Sequence, residues 1–235
     1  MQNKPKDSEL SLELSSVEIN PQHRALNAVI WMHGLGADGY DFAPVVESLP
    51  QSIQDSTRFI FPNAPIRSIT LNAGMRMRGW YDIASLELNR NADEIGIRQS
   101  LEQIHYLIRK QNTEHAIPSE RIALVGFSQG GAMALFAGLR YPERLAGLVA
   151  LSTYLPLPEQ LDQELSSANQ SVPIFQAHGS FDPIVPFRLG QEAYTRLRNL
   201  NYPIQWQTYN LAHTVDAQEI DDIGRFLVQV FSRHA

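Results

Sequence analysis

Short apolar runs alternate with longer amphipathic stretches along this chain. The runs have the length of buried or half-buried strands, and they cover residues 25–32, 59–61, 122–126, 145–151, 172–177 and 204–209. Helical patterns lie between them, as at residues 92–111. This alternation predicts an α/β fold with a mostly parallel, twisted central sheet and helices on both faces.

The first part of the chain has a different pattern. Residues 10–19 alternate well enough to predict an edge strand, which we expect to form a hairpin with residues 25–32 through the turn at residues 20–23. Residues 1–9 are polar and predict a flexible N-terminus. No repeat or Gly/Ser-rich linker marks a boundary further along the 235 residues, so we expect residues 10–235 to form a single domain.

The sequence GFSQG at residues 126–130 predicts a sharp turn between a strand and a helix. It directly follows an apolar run and leads into the small-residue stretch 130–138. Glycines are required where helix and strand approach closely, and the serine between them then projects its hydroxyl outward, as in a nucleophile elbow. The motif alone is also compatible with a phosphate-binding loop or a plain turn. The candidate nucleophile is Ser128.

A serine nucleophile needs a base, and the base needs a carboxylate that fixes its tautomer. In this architecture the order along the chain is serine, acid, histidine. Asp182 and His213 each follow a predicted strand, at the sheet edge where open parallel sheets bind ligands. His178 precedes the acid and is the weaker candidate for the base. Asp216 and Asp221 are better explained as acids in the first turn of the last helix.

A tetrahedral intermediate also requires two N–H donors for its oxyanion. The first expected donor is the backbone N–H of Gln129, directly after the serine, and the second is that of Leu35 in the loop HGLG at residues 33–36. His33 opens this loop. We expect His33 to hold the loop by hydrogen bonding rather than to act as a base or a metal ligand, and we expect no metal site.

Several separate segments together resemble the phospholipase/carboxylesterase family, which includes the acyl-protein thioesterases. These segments are HGLGADG at 33–39, FPNAP at 61–65, MRMRGWYD at 75–82, GFSQGG at 126–131, GSFD at 179–182 and His213. They agree in order and span nearly the whole chain from Val29 onward. Within the family, the likeness is strongest to the small bacterial carboxylesterases.

The resemblance implies an α/β-hydrolase fold without a large cap domain, which hydrolyses carboxylic esters and thioesters without a cofactor. It implies that Ser128 is the nucleophile, Asp182 the orienting acid and His213 the base. It places the oxyanion donors at Leu35 and Gln129. The expected substrate is a small-molecule, lipid or acylated-protein ester.

Residues 66–82 resemble the family's active-site loop, which walls the acyl pocket. The candidates for substrate binding in this loop are Leu71, Met75, Met77 and Trp80. Packing in the protein interior is the alternative explanation for these apolar side chains.

Three positions depart from the usual pattern of the family. Glycine is usual where this chain has Ala212, and an acid is frequent where it has Thr214. If the first of these positions required a positive φ, alanine would displace His213, whereas an extended residue would tolerate the methyl group. Thr153 also replaces a common glycine, and we expect it to narrow the pocket floor.

The overall composition excludes several other classes of protein. The formal net charge is −6 and the Lys and Arg residues are scattered, so nucleic acid is not an expected partner. The chain has no cysteine, which excludes disulfides, a thiol nucleophile and thiolate zinc sites. No apolar segment has the length of an export signal or a membrane span. We therefore expect a cytoplasmic protein without stable membrane insertion.

Two rival functions stay open at this point. One is a hydrolase-shaped binding protein for a small apolar ligand, supported only by the substitutions beside His213. The other is a peptidase of the same fold, which ranks lower because the chain has no recognisable cap or propeller domain. The physiological ester, its acyl-chain length and the oligomeric state are also open.

Overall fold

A seven-stranded sheet forms the centre of the molecule in the computed structural model, which describes residues 12–85 and 92–232. Its strands are β1 (Ser16–Ile19), β2 (Asn27–Met32), β3 (Thr57–Pro62), β6 (Ile122–Phe127), β7 (Gly147–Leu151), β8 (Ile174–Gly179) and β9 (Ile204–Tyr209). Their order across the sheet is β1-β3-β2-β6-β7-β8-β9. The pair β1 and β3 is antiparallel, and all other neighbouring strands of this sheet are parallel. A separate antiparallel hairpin joins β4 (Ile66–Ile69) to β5 (Met75–Arg78) through a 3-10 turn at Thr70–Asn72.

Helices cover both faces of this sheet. They are α1 (Gln51–Gln54), α2 (Glu94–His115), α3 (Gln129–Gly138), α4 (Leu161–Glu164), α5 (Phe187–Asn199) and α6 (Ala217–Ser232), with further 3-10 turns at Ala43–Ser48, Ser119–Arg121 and Ser167–Asn169. Residues of α2, α3 and α5 belong to the core on one face, and residues of α1 and α6 belong to the core on the other. The predicted α/β architecture is confirmed.

The central strands are apolar at most positions because both of their faces are covered. All six residues of β2 are buried. Ala28 and Ile30 belong to the core beneath α2 and α3, whereas Val29 and Trp31 belong to the core beneath α6. Covered parallel strands therefore appear in the sequence as continuous apolar runs rather than as alternating patterns.

The expected hairpin between β1 and β2 is wrong. β1 is an edge strand, but it pairs antiparallel with β3, and Ser16 lies opposite Pro62. β2 pairs with β3 along one side and with β6 along the other, so both of its hydrogen-bonding edges are occupied. The residues of β1 are half-buried or exposed, which suits an edge position. The predictions for residues 1–11 lie outside the described part of the chain.

Candidate active site

Three predicted residues meet at one edge of the sheet. Ser128, Asp182 and His213 follow the carboxyl ends of β6, β8 and β9. Because these strands are parallel, their carboxyl ends reach the same edge. Ser128 Oγ lies 2.9 Å from His213 Nε2, and His213 Nδ1 lies 2.7 Å from Asp182 Oδ2. The three side chains therefore form one continuous hydrogen-bonded row.

Ser128 occupies a strained turn that its neighbours hold in place. Its φ is 55° and its ψ is −120°, a region that costs a non-glycine residue roughly 1–3 kcal/mol. Its N–H donates to Leu151 O at 2.8 Å, and its carbonyl accepts from the Thr153 hydroxyl at 2.7 Å. Thr153 is fully buried beneath this turn. It therefore supports the backbone of Ser128 instead of narrowing the pocket as expected.

Glycine is required on both sides of Ser128 because backbones approach closely there. A Cβ at Gly126 would lie 2.1 Å from the carbonyl oxygen of Gly130. A Cβ at Gly130 would lie 2.2 Å from the carbonyl oxygen of Met32 at the end of β2. Helix α3 thus packs directly against two strand ends, and all ten of its residues are buried.

Asp182 is held as a carboxylate that points at His213. Its Oδ1 accepts the N–H groups of Ile184 at 2.8 Å and Val185 at 2.9 Å, which leaves Oδ2 for the histidine. Burial alone would raise the pKa of Asp182, but the bonds from His213 and the two amides outweigh it and lower the pKa. An ionised Asp182 assigns the proton to His213 Nδ1, so Nε2 can accept from the Ser128 hydroxyl.

The departures beside His213 leave its position intact. Ala212 is not among the described non-glycine residues with positive φ, so its methyl group imposes no strain. The ring of His213 lies 4.7 Å from that of Phe127, centroid to centroid. The aromatic contact and the bond to Asp182 together fix the imidazole against Ser128.

The rival residues have other partners. His178 is fully buried, and its Nε2–H donates to Val185 O at 2.9 Å. Burial lowers the pKa of His178, so it is held neutral on the far side of Asp182. Asp216 accepts the N–H of Glu219 at 2.9 Å, in the first turn of α6.

His33 fixes the loop that carries the second expected oxyanion donor. Ala64 N–H donates to His33 Nε2 at 3.1 Å, so the ring proton lies on Nδ1 and is donated to Gly34 O at 2.7 Å. The carbonyl of His33 accepts from Trp80 Nε1–H at 3.0 Å. Burial lowers the pKa of His33, which keeps the ring neutral.

The amides of Leu35 and Gln129 are available to a ligand. Within residues 12–85 and 92–232, neither N–H donates to another protein group. The Gln129 side chain is fully engaged: its Oε1 accepts from Trp80 N–H and its Nε2 donates to Tyr81 O, both at 2.8 Å. The side chain therefore anchors the residue while its backbone N–H stays free beside Ser128.

A cavity of about 250 Å³ opens beside Ser128. Its wall includes Leu35 and Gln129, and its remaining lining is mostly apolar: Leu71, Asn72, Ile83, Tyr154, Pro183, Ile184 and Val185. Tyr154 also borders a second cavity of about 200 Å³. Its hydroxyl lies 2.7 Å from that of Tyr81, and both tyrosines are buried.

Of the four predicted pocket residues, the structure places only Leu71 in this wall. Met75 is 64% exposed on the hairpin. Met77 accepts from the Asn72 amide at 3.5 Å instead of lining the cavity. Trp80 is completely buried behind the loop of His33.

Two residues of the cavity wall were missed by sequence reasoning although signals for them exist. Tyr154 follows the carboxyl end of β7, at the same edge as the three predicted residues. Ile184 lies two positions after Asp182. Proximity to a strand end or to the acid would have indicated both.

The described residues show neither a metal cluster nor a membrane span. Within residues 12–85 and 92–232, no group of three or more His, Asp or Glu side chains could hold a metal ion. No helix there is long and apolar enough to cross a bilayer.

The fold and the arrangement around Ser128 define the class of protein: a serine hydrolase of the α/β-hydrolase type. The phospholipase/carboxylesterase family model matches residues 14–231. The chain therefore belongs to the phospholipase/carboxylesterase family, and it is a hydrolase of carboxylic esters.

Relatives and solved structures agree with this membership. Acyl-protein thioesterase 1 of Neurospora crassa is 41% identical over 210 residues, which cover 86% of this chain and 85% of that protein. Acyl-protein thioesterase 1 of Mycosarcoma maydis is 38% identical, with coverage of 92% and 97%. The crystal structure of acyl-protein thioesterase 2 of Zea mays superimposes with a TM-score of 0.81 at 25% identity, covering 93% of this chain and all of that one.

Proposed function

We propose that this protein hydrolyses esters and thioesters through an acyl-enzyme formed on Ser128. His213 Nε2 removes the hydroxyl proton as Ser128 Oγ attacks the carbonyl carbon. Asp182 stabilises the imidazolium, and the amides of Leu35 and Gln129 bind the oxyanion. His213 then protonates the leaving alcohol or thiol, and water repeats the cycle on the acyl-enzyme.

The observation that carries this proposal is the hydrogen-bonded row from Asp182 through His213 to Ser128, at 2.7 and 2.9 Å. Both distances are within the range required for proton transfer. The base is therefore in place before any substrate binds. This geometry argues against the rival binding protein, in which a displaced base would leave the serine inert.

The substrate proposal rests on the cavity beside Ser128. It shares its wall with both oxyanion amides, so an acyl carbonyl held by them directs its chain into the apolar space lined by Leu71 and Ile184. The curated relatives are named acyl-protein thioesterases. We extend that activity to this chain, with lipid esters and acylated proteins as the substrate classes.

Two further expectations stay predictions. One domain over residues 10–235 is supported by the shared sheet, because β1 and β9 lie at its opposite edges. The cytoplasmic location is the second.

The test is Ser128→Ala, assayed with a chromogenic short-chain ester. We expect turnover to fall at least ~10⁴-fold, because the acyl-enzyme cannot form, while thermal unfolding shows a folded protein. A fluorophosphonate probe should label the wild-type protein and not the variant. Persistent turnover by the purified variant, or an unlabelled wild-type protein, would refute the proposal.

A hydrolysis profile across acyl chains then defines the substrate class. Esters of increasing chain length, a lysophospholipid and a palmitoyl-thioester peptide should be compared at equal enzyme concentration. We expect a chain-length optimum set by the 250 Å³ cavity. A flat profile would mean that this cavity does not bind the acyl chain.

A further inference from the structure

A third cavity, of about 350 Å³, borders His213. Its wall includes Phe42, Phe127 and Val215 together with two polar side chains, Asp41 and Thr214. We call it the His213 cavity. It does not share any lining residue with the cavity beside Ser128 that contains Leu35 and Gln129.

The proposed reaction assigns the cavity beside Ser128 to the acyl half of an ester and the His213 cavity to the leaving half. The acyl half is held at the oxyanion amides and directs its chain into the cavity that those amides line. The leaving atom must receive its proton from His213 Nε2, so the leaving half lies beside that ring. The cavity that His213 itself lines is therefore the space available to the leaving group.

The charge of the His213 cavity indicates which leaving group it accepts. Among the described residues, Asp41 is the only carboxylate in its wall. Its side chain is exposed, and within residues 12–85 and 92–232 it forms neither an ion pair nor a hydrogen bond. The adjacent rings of Phe42 and Phe127, 5.7 Å apart, offer an aromatic surface next to that carboxylate. A carboxylate beside aromatic rings suits an ammonium or guanidinium group.

We propose that the His213 cavity is the leaving-group subsite and that it favours alcohols or thiols carrying a positive charge. This inference rests on the proposed function of Ser128 and His213. A quaternary ammonium thiol and a cysteine peptide with a neighbouring lysine share this chemistry. The net charge of −6 adds a general attraction for such substrates.

The experiment compares two thioesters with the same acyl group. S-butyrylthiocholine is cationic, and S-(3,3-dimethylbutyl) thiobutyrate is its neutral isostere. The readout is the ratio of their kcat/KM values within one variant, which cancels any general effect on the chemistry. We expect the wild-type enzyme to favour the cation by about 3- to 10-fold at low ionic strength and by less at 0.5 M salt.

Asp41→Asn should reduce this ratio to below about 2-fold, and Asp41→Glu should restore most of it. Glu102→Gln is the matched control, because it removes one exposed charge from α2 on the opposite face of the sheet and should leave the ratio unchanged. A ratio near one in the wild-type enzyme, or an equal ratio in Asp41→Asn, would overturn the proposal. Thermal unfolding verifies that each variant is folded.

Cysteine peptides that carry a butyryl thioester beside either lysine or glutamine form a second arm. A preference confined to thiocholine would identify a small ammonium site, and a preference for the lysine peptide as well would extend it to basic peptides. Failure of the proposed function is a distinct result, because Ser128→Ala would then retain turnover of the neutral thioester whatever the charge ratio.

Discussion

The elbow at residues 126–131 and the hairpin of β4 and β5 both border the space around Ser128, but they are built differently. In the elbow, an added Cβ at Gly130 would collide with the backbone of β2 at 2.2 Å. In the hairpin, a Cβ at Gly74 would meet nothing within 4 Å. The hairpin also leaves Ile66 and Met75 largely exposed. Close contacts thus dictate the residue type at Gly130, whereas at Gly74 the positive φ, rather than a contact, favours glycine.

The two regions meet at one side chain. Gln129 belongs to the elbow helix, and both of its amide atoms bond to the backbone of Trp80 and Tyr81, directly after the hairpin. Gln129 therefore holds the backbone of Trp80 and Tyr81 against the elbow. It does not bond to the hairpin tip in this way. Substitutions in the two regions should differ accordingly.

The largest difference is expected between Gly130→Ala and Gly74→Ala. The first forces α3 away from β2, and we expect it to lower kcat/KM more than about 100-fold and stability by roughly 3 kcal/mol or more. The second adds only the strain of alanine at a φ of 76°, about 1 kcal/mol. Ester hydrolysis and urea unfolding measure both effects. Equal losses in the two variants would mean that the close approach at the elbow is not what fixes Ser128.

Gln129→Met should have the next largest effect. It leaves the buried Trp80 N–H and Tyr81 carbonyl without partners, which costs about 2–4 kcal/mol. The backbone N–H of Gln129 is also a proposed oxyanion donor, and losing the side-chain bonds should displace it. We therefore expect kcat to fall by roughly 10-fold and KM to change less. Steady-state kinetics and urea unfolding test this. A variant with wild-type kcat would show that the Gln129 side chain does not position the backbone N–H of the same residue.

Acid should weaken the loop of residues 33–36, which contacts the elbow, through protonation of His33. Burial lowers the pKa of His33 in the folded protein, whereas the unfolded chain titrates near 6.5. The unfolded state therefore binds the extra proton, so this contribution to stability is present above pH 6.5 and declines as the pH falls, by at most about 1.4 kcal/mol per pH unit. NMR titration should place the midpoint of the His33 ring below 6.5. A midpoint at or above 6.5 would contradict this.

The smallest effects are expected on the hairpin. Leu71 lines the cavity, so Leu71→Ser should lower kcat/KM for an octanoyl ester by about 3- to 5-fold through lost apolar contact. Met75 lies outside the wall, and Met75→Ser should change the same value less than about 2-fold. A larger effect of Met75→Ser would mean that the hairpin tip folds over the bound acyl chain.

The same difference explains how far the sequence could be interpreted. Ser128, Asp182 and His213 were predictable because each follows a strand, and parallel strands bring their ends to one edge. The roles proposed for them depend on the turn at each strand end and on the order of the residues along the chain. Both can be inferred from sequence motifs. The structure brings the three side chains together at one edge, and their roles stay a proposal that the kinetic tests above address.

The cavity wall could not be predicted in the same way. An apolar side chain such as Trp80 looks equally suited to a pocket or to the core, and only the packing around His33 and Gln129 decides that it is buried. The partner of β1 was missed for a similar reason. Pairing with β3 depends on which edges of β2 are occupied, and that is a property of the whole sheet.

Tyr154 separates the 250 Å³ cavity beside Ser128 from the 200 Å³ cavity behind it. Its phenol ring lies in the wall of both cavities, and a hydrogen bond to the Tyr81 hydroxyl fixes its position. A smaller residue at this position would join the two cavities and nearly double the volume open beside Ser128. If the cavity beside Ser128 holds the acyl chain as proposed, one substitution at Tyr154 would change the chain length that fits and leave Ser128, Asp182 and His213 unaltered.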